Sequence, residues 1–325
     1  MTAVADAGFD LILGALIVAA AVSAVGVRDR FGAVAFFIVY GVFVALGWLR
    51  LRAIDVALAE VALGAGLTGL LLLGANARLP ESLPPPSGAG VRIAAGGAGV
   101  AVAVALGWAF LALPEPAGLQ AQVEAELEAA GAANPVTAVL LNFRGWDTLL
   151  ESVVLLAALV GVWSVARDEA WGARPGLRQH ARPGGVLASF GGLLPPVGAM
   201  IGVYLVWAGS SRPGGAFQGG TVLAAVALLV MMSGLVRPPP VVSGRLRAAL
   251  VAGPAVFLAV GLVGAAAGVF LGLRPDLAKP LILGIETVLT LSIAATLALL
   301  VVGPPEVPDA GRRDTGAGDV RDGGA

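Results

Sequence analysis

The chain has 325 residues, of which 58% are hydrophobic and 13% charged, and its mean hydropathy is +0.91. A soluble domain carries about 25% charged residues, so lipid rather than water is the solvent for most of these side chains. A net charge of -1, the absence of cysteine and a single histidine, His180, exclude a basic nucleic-acid footprint, a thiolate cluster and a histidine-built haem or metal site. No cofactor and no resident metal is therefore expected.

Crossing the hydrocarbon as a helix takes about 20 mostly apolar residues. Nine such runs follow one another, over residues 9 to 27, 31 to 49, 55 to 75, 91 to 113, 146 to 166, 186 to 209, 219 to 236, 248 to 273 and 281 to 303. The alternating ten-residue segments of an outer-membrane barrel are missing. The expectation is an all-α polytopic membrane protein of about nine spans. No Lys or Arg precedes the first run and Asp6 and Asp10 sit at its start, so it reads as a retained helix rather than a signal peptide. Alternating sides along the nine runs puts Arg28, Arg30, Arg78, Arg92, the arginines of 167 to 182 and those of 237 to 247 on one side. Arg50, Arg52, Arg212, Arg274 and Lys279 fall on the other. The positive-inside bias then places the N-terminus out and the C-terminus in, with Arg50 and Arg52 as the outward exceptions.

Ionisable groups near the centre of a span cost about 2.5 to 3.5 kcal/mol each on insertion scales, so each needs a reason. The third run holds two acids. Glu60 shares a helical face with Gly64 and Thr68, a small-residue stripe that admits a neighbouring backbone and predicts a place inside a helix bundle. Asp55, five residues earlier, is expected to cap its helix or pair with Arg52. A Pro-rich break follows at "ARLPESLPPPSGAG" (77 to 90), and residues 114 to 134 form an acidic outer loop.

At the mouth of the fifth run stands "NFRGWDTLLES" (142 to 152). Arg144 precedes Asp147 by three residues and Asp147 precedes Glu151 by four, a spacing that permits an Arg144 to Asp147 ion pair at the membrane edge with Glu151 one turn deeper. A carboxyl carried inward in this way can exchange a proton. The bland alternative is that such acids only hold helices together by hydrogen bonds worth about 1 kcal/mol or less.

The stretch "RDEAWGARPGLRQHARPGG" (167 to 185) is long, polar and rich in Pro and Gly, and marks a boundary between five front spans and four back spans. Pro195 and Pro196 should kink or break the sixth helix. "SSRPGGAFQGG" (210 to 220), with Pro213, Gly214, Gly215, Gly219 and Gly220, reads as a tight connector; with no strand before it and no Lys after it, it is not a phosphate-binding loop. Glu286 begins the last helix with Thr290 and Ala294 on its face, and the tail after Gly303 has the composition of a disordered segment.

Three of these stretches together resemble small subunits of Mrp/Mnh-type cation/proton antiporters. "RAIDVALAEVALGAGLTGLLLLGA" (52 to 75) resembles the acidic helix in the C-terminal part of the Mrp A-type subunit, and still more the D-type subunit of membrane-bound hydrogenase. "NPVTAVLLNFRGWDTLLES" (134 to 152) is similar to the element that follows it, with Asn142 in place of the usual Asp, Trp146 in place of Phe or Tyr and Leu150 in place of Gly. "RPGGAFQGG" (212 to 220) is similar to the Mrp B-type subunit, with Ala216 interrupting the glycine run and "WAGSS" in place of a His-rich lead-in.

The resemblance implies a fusion. A three-helix D-type unit would occupy 1 to 76, an E-type unit 77 to 166, a polar cytoplasmic linker 167 to 185, a four-helix MnhB-like unit 186 to 303 and a disordered tail 304 to 325. It implies a non-catalytic subunit of a multisubunit sodium/proton antiporter in the plasma membrane of a prokaryote. The partners would be large proton-pumping-type subunits and other small membrane subunits, with protons and sodium as the ions. Glu60, Glu151, Asp147 and Arg144 would lie on the ion or proton path, Glu60 and Glu151 as carriers and Arg144 with Asp147 as an electrostatic gate; Glu286, an acid in an otherwise apolar run, is a secondary candidate for the path; Asp55, the two prolines of the sixth helix and the loop residues Pro213, Gly214, Gly215, Gly219 and Gly220 would be structural or gating. A hydrogenase-like respiratory complex is the alternative setting, and a scaffold that conducts nothing the alternative role. A self-sufficient transporter would show inverted repeats with discontinuous helices in both halves, which the sequence lacks. No nucleophile and base constellation points to an enzyme.

Overall fold

The computed structural model describes residues 2–80, 88–114, 118–176 and 185–306. Within them the chain is helical, with no strand and one isolated bridge between Pro175 and Pro305. Eight helices are long and apolar enough to span a membrane, and a ninth apolar helix, Ala216–Met232, is shorter. The nine predicted spans are thus all present as helices. The tail from 307 onward and parts of the three polar breaks (81–87, 115–117 and 177–184) lie outside the described residues, as does His180.

Helices α1 (Thr2–Gly26) and α2 (Arg30–Arg50) form an antiparallel hairpin. Asp29 caps α2 by accepting the Gly32 N–H at 2.6 Å, and the hairpin is closed at its far end by Arg50, which meets Asp10 at 2.6 Å and Asp6 at 3.3 Å. Arg50 is thus paired with acids of the neighbouring helix where it stands.

The third span is one continuous rod, Ile54–Arg78, wound in three ways. It begins as α3 (Ile54–Ala59), passes through a π-helical stretch Glu60–Leu67 and ends as α4 (Thr68–Arg78). The wider winding displaces residues from the 100° spacing assumed for Glu60, Gly64 and Thr68. The small residues that touch α2 are accordingly Ala65, against Gly41, and Gly69, against Ile38. Gly64 instead lies under the carboxyl of Glu60, where a Cβ would overlap Oε1.

Helix α5 (Ala89–Ala112) buries no residue. After the short α6 (Gln120–Glu126) and α7 (Pro135–Ala138), a π-turn Val139–Phe143 breaks at Arg144 (φ -131°, ψ 39°), and α8 (Gly145–Ser164) leaves in a new register. The back half holds α9 (Val186–Gly209), α10 (Ala216–Met232), α11 (Gly244–Ala266) and α12 (Pro275–Val302). Helix α9 continues through Pro195 and Pro196, so the two prolines do not break it in two. Helix α12 begins well before residue 281, so Glu286 stands within it rather than at its start.

Helix α12 is the axis of the protein. Its Ile282, Ile285, Leu289, Ile293 and Leu297, spaced three or four apart, are all buried, and it packs against α8, α9, α10, α11 and α4. Close approach is secured by glycine and by hydroxyls. Pro254 in α11 has no N–H for the carbonyl of Leu250, and that carbonyl accepts the Ser292 hydroxyl of α12 at 2.6 Å instead. Gly253 lets the two backbones meet there, since a Cβ would stand 3.0 Å from the Leu289 Cα.

Candidate functional site

The loop joining α9 to α10 is where the three recognisable stretches of sequence converge. Gly209, Gly214 and Gly215 are buried, so this is no exposed connector. Gly214 (φ 153°) and Gly215 (φ 119°) adopt backbone angles that side chains resist, and a Cβ on Gly209 would stand 2.6 Å from the Gly215 nitrogen and Cα. The chain reverses so tightly that the Gly215 N–H returns to the Leu205 carbonyl at 2.9 Å.

From the third span, Asp55 reaches into this loop. One carboxylate oxygen accepts the Gly214 N–H at 2.9 Å, the other lies 3.5 Å from the Asn134 amide nitrogen, and the Asp55 carbonyl accepts from Gln218 at 3.4 Å. Asp55 therefore neither caps its own helix nor pairs with Arg52; its partners are 79 or more residues away in sequence, which local spacing cannot reveal. From the other side, the start of the "NPVT" stretch roofs the loop. The Ala133 and Asn134 N–H groups donate to the Ser210 carbonyl, the Asn134 amide to the carbonyls of Arg212 (3.1 Å) and Gly209 (3.4 Å), and the Thr137 hydroxyl to Gly209 (2.6 Å). Irregular backbone within a membrane bundle is tolerated where protein groups satisfy it in this way.

Beneath the loop lies Glu286. It is 2% exposed, and its Oε2 has no hydrogen-bond partner among the described residues. Its Oε1 stands 3.1 Å from the place a Cβ would take on Gly209 and 3.2 Å from that on Gly215, so both glycines make room for the carboxyl. Thr290, one turn on, spends its hydroxyl on the Glu286 carbonyl and leaves the carboxyl alone. The other two glycines of the motif serve packing: Gly219 faces Val206 and the Gly202 carbonyl of α9, and Gly220 faces Ile293 and the Thr290 carbonyl of α12.

The remaining predicted residues stand apart from this hub. Arg144 and Asp147 form the expected ion pair at 2.9 Å, but with side chains 70% and 49% exposed. Glu151 lies on the surface of this single chain, on α8 two turns beyond the break at Arg144. Glu60 is half-buried in the π-helical stretch and, like Glu151, has no hydrogen bond or ion pair among the described residues. The element around Arg144 is anchored on its other side: Trp146 stacks on Phe270 with ring centres 4.3 Å apart, Gly145 faces Leu271, and the Asn142 amide donates to the Ala130 carbonyl at 2.9 Å.

Sequence reasoning missed Asn134, Thr137, Gly209 and Gln218. A signal existed for Asn134, an N-cap residue followed by Pro at the first helical position; its side chain does accept the Val136 N–H at 3.0 Å. Thr137 and Gln218 lie inside two of the stretches singled out by resemblance, and Gly209 carried no signal. Among the described residues no group of acidic or His side chains is disposed to hold a metal.

Comparison with known proteins finds relatives for the front and the back of the chain. Residues 15–81 match the family MbhD, the D-type subunit of MBH, and residues 186–304 match a domain related to the MnhB subunit of the Na+/H+ antiporter. A chain of the Mrp complex from Dietzia sp. DQ12-45-1b has the same fold over 92% of this chain, with a TM-score of 0.74 and 25% identity; the present chain spans 35% of that one. A chain of the membrane-bound sulfane sulfur reductase, an archaeal respiratory membrane complex, shares the fold over 65% of this chain and 96% of its own length, with a TM-score of 0.53 and 24% identity. No curated protein matches. With a D-type match at the front, a B-type match at the back and one fold running through both, the chain is an Mrp/Mnh-type fusion of a D-like part with a B-like part.

Proposed function

We propose that the chain is a non-catalytic membrane subunit of a multisubunit Mrp-type monovalent cation/proton antiporter, in the plasma membrane of a prokaryote. It lies N-terminus out and C-terminus in, and works beside large proton-pumping-type subunits and other small membrane subunits. The observation that carries this reading is the common fold with a chain of an Mrp complex over 92% of the length. The units are a D-type part (1 to 76), an E-type part (77 to 166) and an MnhB-like part (186 to 303), fastened to one another at the loop that receives Asp55, Asn134 and Thr137.

Protons or sodium ions pass along carboxylates. Glu286 is the inner station, because an acid without a partner in the core of a bundle has a cost that function explains more readily than packing. Glu60 is a half-buried station on the D-type helix. Glu151, with the Arg144 to Asp147 pair at the membrane edge, faces a partner subunit that completes its surroundings. In everted vesicles holding the assembled complex, Glu286→Gln should abolish cation-dependent proton movement while assembly stays normal. Unchanged transport per complex would overturn the carrier role of Glu286.

One observation favours a second, scaffolding role: Asp55 accepts the Gly214 N–H and lies beside the Asn134 amide, joining front and back parts of the chain. If the whole subunit is a scaffold, Glu60→Gln, Glu151→Gln and Glu286→Gln will each lower complex yield and leave transport per complex unchanged. Neighbouring genes for iron–sulfur and nickel-site subunits would move the complex toward the hydrogenase-like setting.

A further inference from the structure

At the end of the bundle opposite the Asp55 loop, a cavity of about 580 Å³ opens between the D-like and B-like parts. Its walls are the last turns of four elements: Leu71 and Gly74 of α4, Val162 of α8, Met231 of α10 and Leu300 of α12. These are apolar and belong to the membrane-spanning rods. The loop residues Pro175, Gly176, Pro238, Gly303 and Pro304 also line it, together with two arginines, Arg78 at the end of α4 and Arg237 just beyond α10, and no acidic residue does. Among the described residues Arg237 has no ion pair, and Arg78 meets only Glu306, loosely, at 3.7 Å with its side chain 56% exposed.

An apolar chamber at the end of a span, with cationic groups where the membrane surface would lie, matches one class of molecule: acyl chain inside, anionic headgroup at the rim. The volume is within the range of sites that hold small ligands. Two of the chain's own segments outside the described residues are poorly suited by composition to an apolar chamber. Residues 177–184 read LRQHARPG and the tail from 307 reads VPDAGRRDTGAGDVRDGGA, both nearly devoid of large apolar side chains. We propose that this cavity is a binding site for an anionic phospholipid, its acyl chain packed between α4, α10 and α12 and its phosphate held by Arg78 and Arg237. The lipid would act as a wedge between the D-like and B-like parts. The inference does not depend on which ions the complex moves.

The test uses the full chain in phosphatidylcholine nanodiscs doped with a minor fraction of phosphatidylglycerol, and reads retained lipid by native mass spectrometry after mild detergent extraction. The wild-type chain should retain phosphatidylglycerol in preference to phosphatidylcholine, and inorganic phosphate should not displace it. Arg78→Gln and Arg237→Gln should each lower that preference about fivefold, the factor expected for one basic residue at an anionic surface, whereas Arg92→Gln on α5 should not. Gly74→Phe should expel the lipid without unfolding the chain, because no atom lies within 4 Å of where its Cβ would be. Equal retention of the two lipids, an unaltered preference in both arginine variants, or a helix of a partner subunit crosslinking into the cavity in the assembled complex would each overturn the assignment.

Discussion

Helices α5 and α12 are close in length and apolar character, 24 residues with a mean hydropathy of 1.9 against 28 with 2.2, yet α12 buries 61% of its apolar window inside the chain and α5 none. The difference lies in what their side chains can do for a neighbour. Helix α12 carries Glu286, Thr290, Ser292 and Thr296 on its packed faces, and Ser292 reaches another helix. Helix α5 offers a run of Ala, Gly and Val with Arg92 as its one charge. In lipid, apolar surface alone gives no reason for two helices to associate; close packing and hydrogen bonds do. Hydropathy therefore marks both segments as spans, and only the polar and small residues decide which of them is held by its own chain.

The sharpest way to break the comparison is to place bulk on glycines of both the packed core and α5. On Gly220 a Cβ would lie 2.8 Å from Ile293 Cγ2 of α12, and on Gly219 2.6 Å from Val206 Cγ2, whereas Gly96 and Gly97 of α5 have nothing within 4 Å. Gly219→Leu with Gly220→Leu should cost ~3 kcal/mol or more through overpacking and abolish a monodisperse elution peak. Gly96→Leu with Gly97→Leu should leave thermal unfolding of the isolated chain within about 0.5 kcal/mol of wild type, as for a surface site. Equal damage from the two pairs would mean that α5 is packed in solution.

Next in size is the fastening between the front and back halves. Asp55→Ala strands the Gly214 N–H in a buried loop and takes a partner from Asn134, at a cost of about 1 to 3 kcal/mol. Asp55→Asn, which keeps an acceptor for Gly214, should recover most of it. Limited proteolysis between the halves is a suitable readout, because the loss should separate them before it unfolds either.

Much of this architecture is legible in the sequence. Nine apolar runs become nine helices, and the i, i+3 spacing of Arg144 and Asp147 becomes an ion pair. The failures share a cause: they occur where winding departs from the regular helix or where partners come from far along the chain. The π-helical stretch from Glu60 makes Ala65 and Gly69, rather than the stripe of Gly64 and Thr68, the small residues that meet a neighbouring helix. The partners of Asp55 lie beyond any local period. An apolar run starting at 281 puts Glu286 near a helix end; with the start of α12 at Pro275 the acid falls deep within the helix and under the glycine loop.

That placement gives a prediction of opposite sign. Glu286 has a buried oxygen without a partner among the described residues, so exchanging it for an apolar residue of similar reach removes a penalty instead of a bond. Glu286→Met should leave the isolated chain as stable as wild type or more stable by about 1 kcal/mol, while transport in the assembled complex is lost. A destabilised Glu286→Met chain would show that the carboxyl holds the glycine loop, and would move Glu286 from the ion path to the scaffold.

The smallest effect belongs to the surface pair, and it tests the outward face of α8 as Gly96 and Gly97 test α5. The Arg144 and Asp147 side chains are 70% and 49% exposed on the single chain, so a double-mutant cycle on the isolated chain should give a coupling below ~1 kcal/mol despite a 2.9 Å contact. In the assembled complex the same cycle has a different expectation. If a partner subunit covers Arg144, Asp147 and Glu151, the pair is withdrawn from water, and removing one member alone leaves a charge stranded. The single variants should then lower complex yield far more than the double variant does. A cycle with the same small coupling in both settings would mean that this face of α8 remains open to lipid, and that Glu151 has no subunit beside it to complete a path.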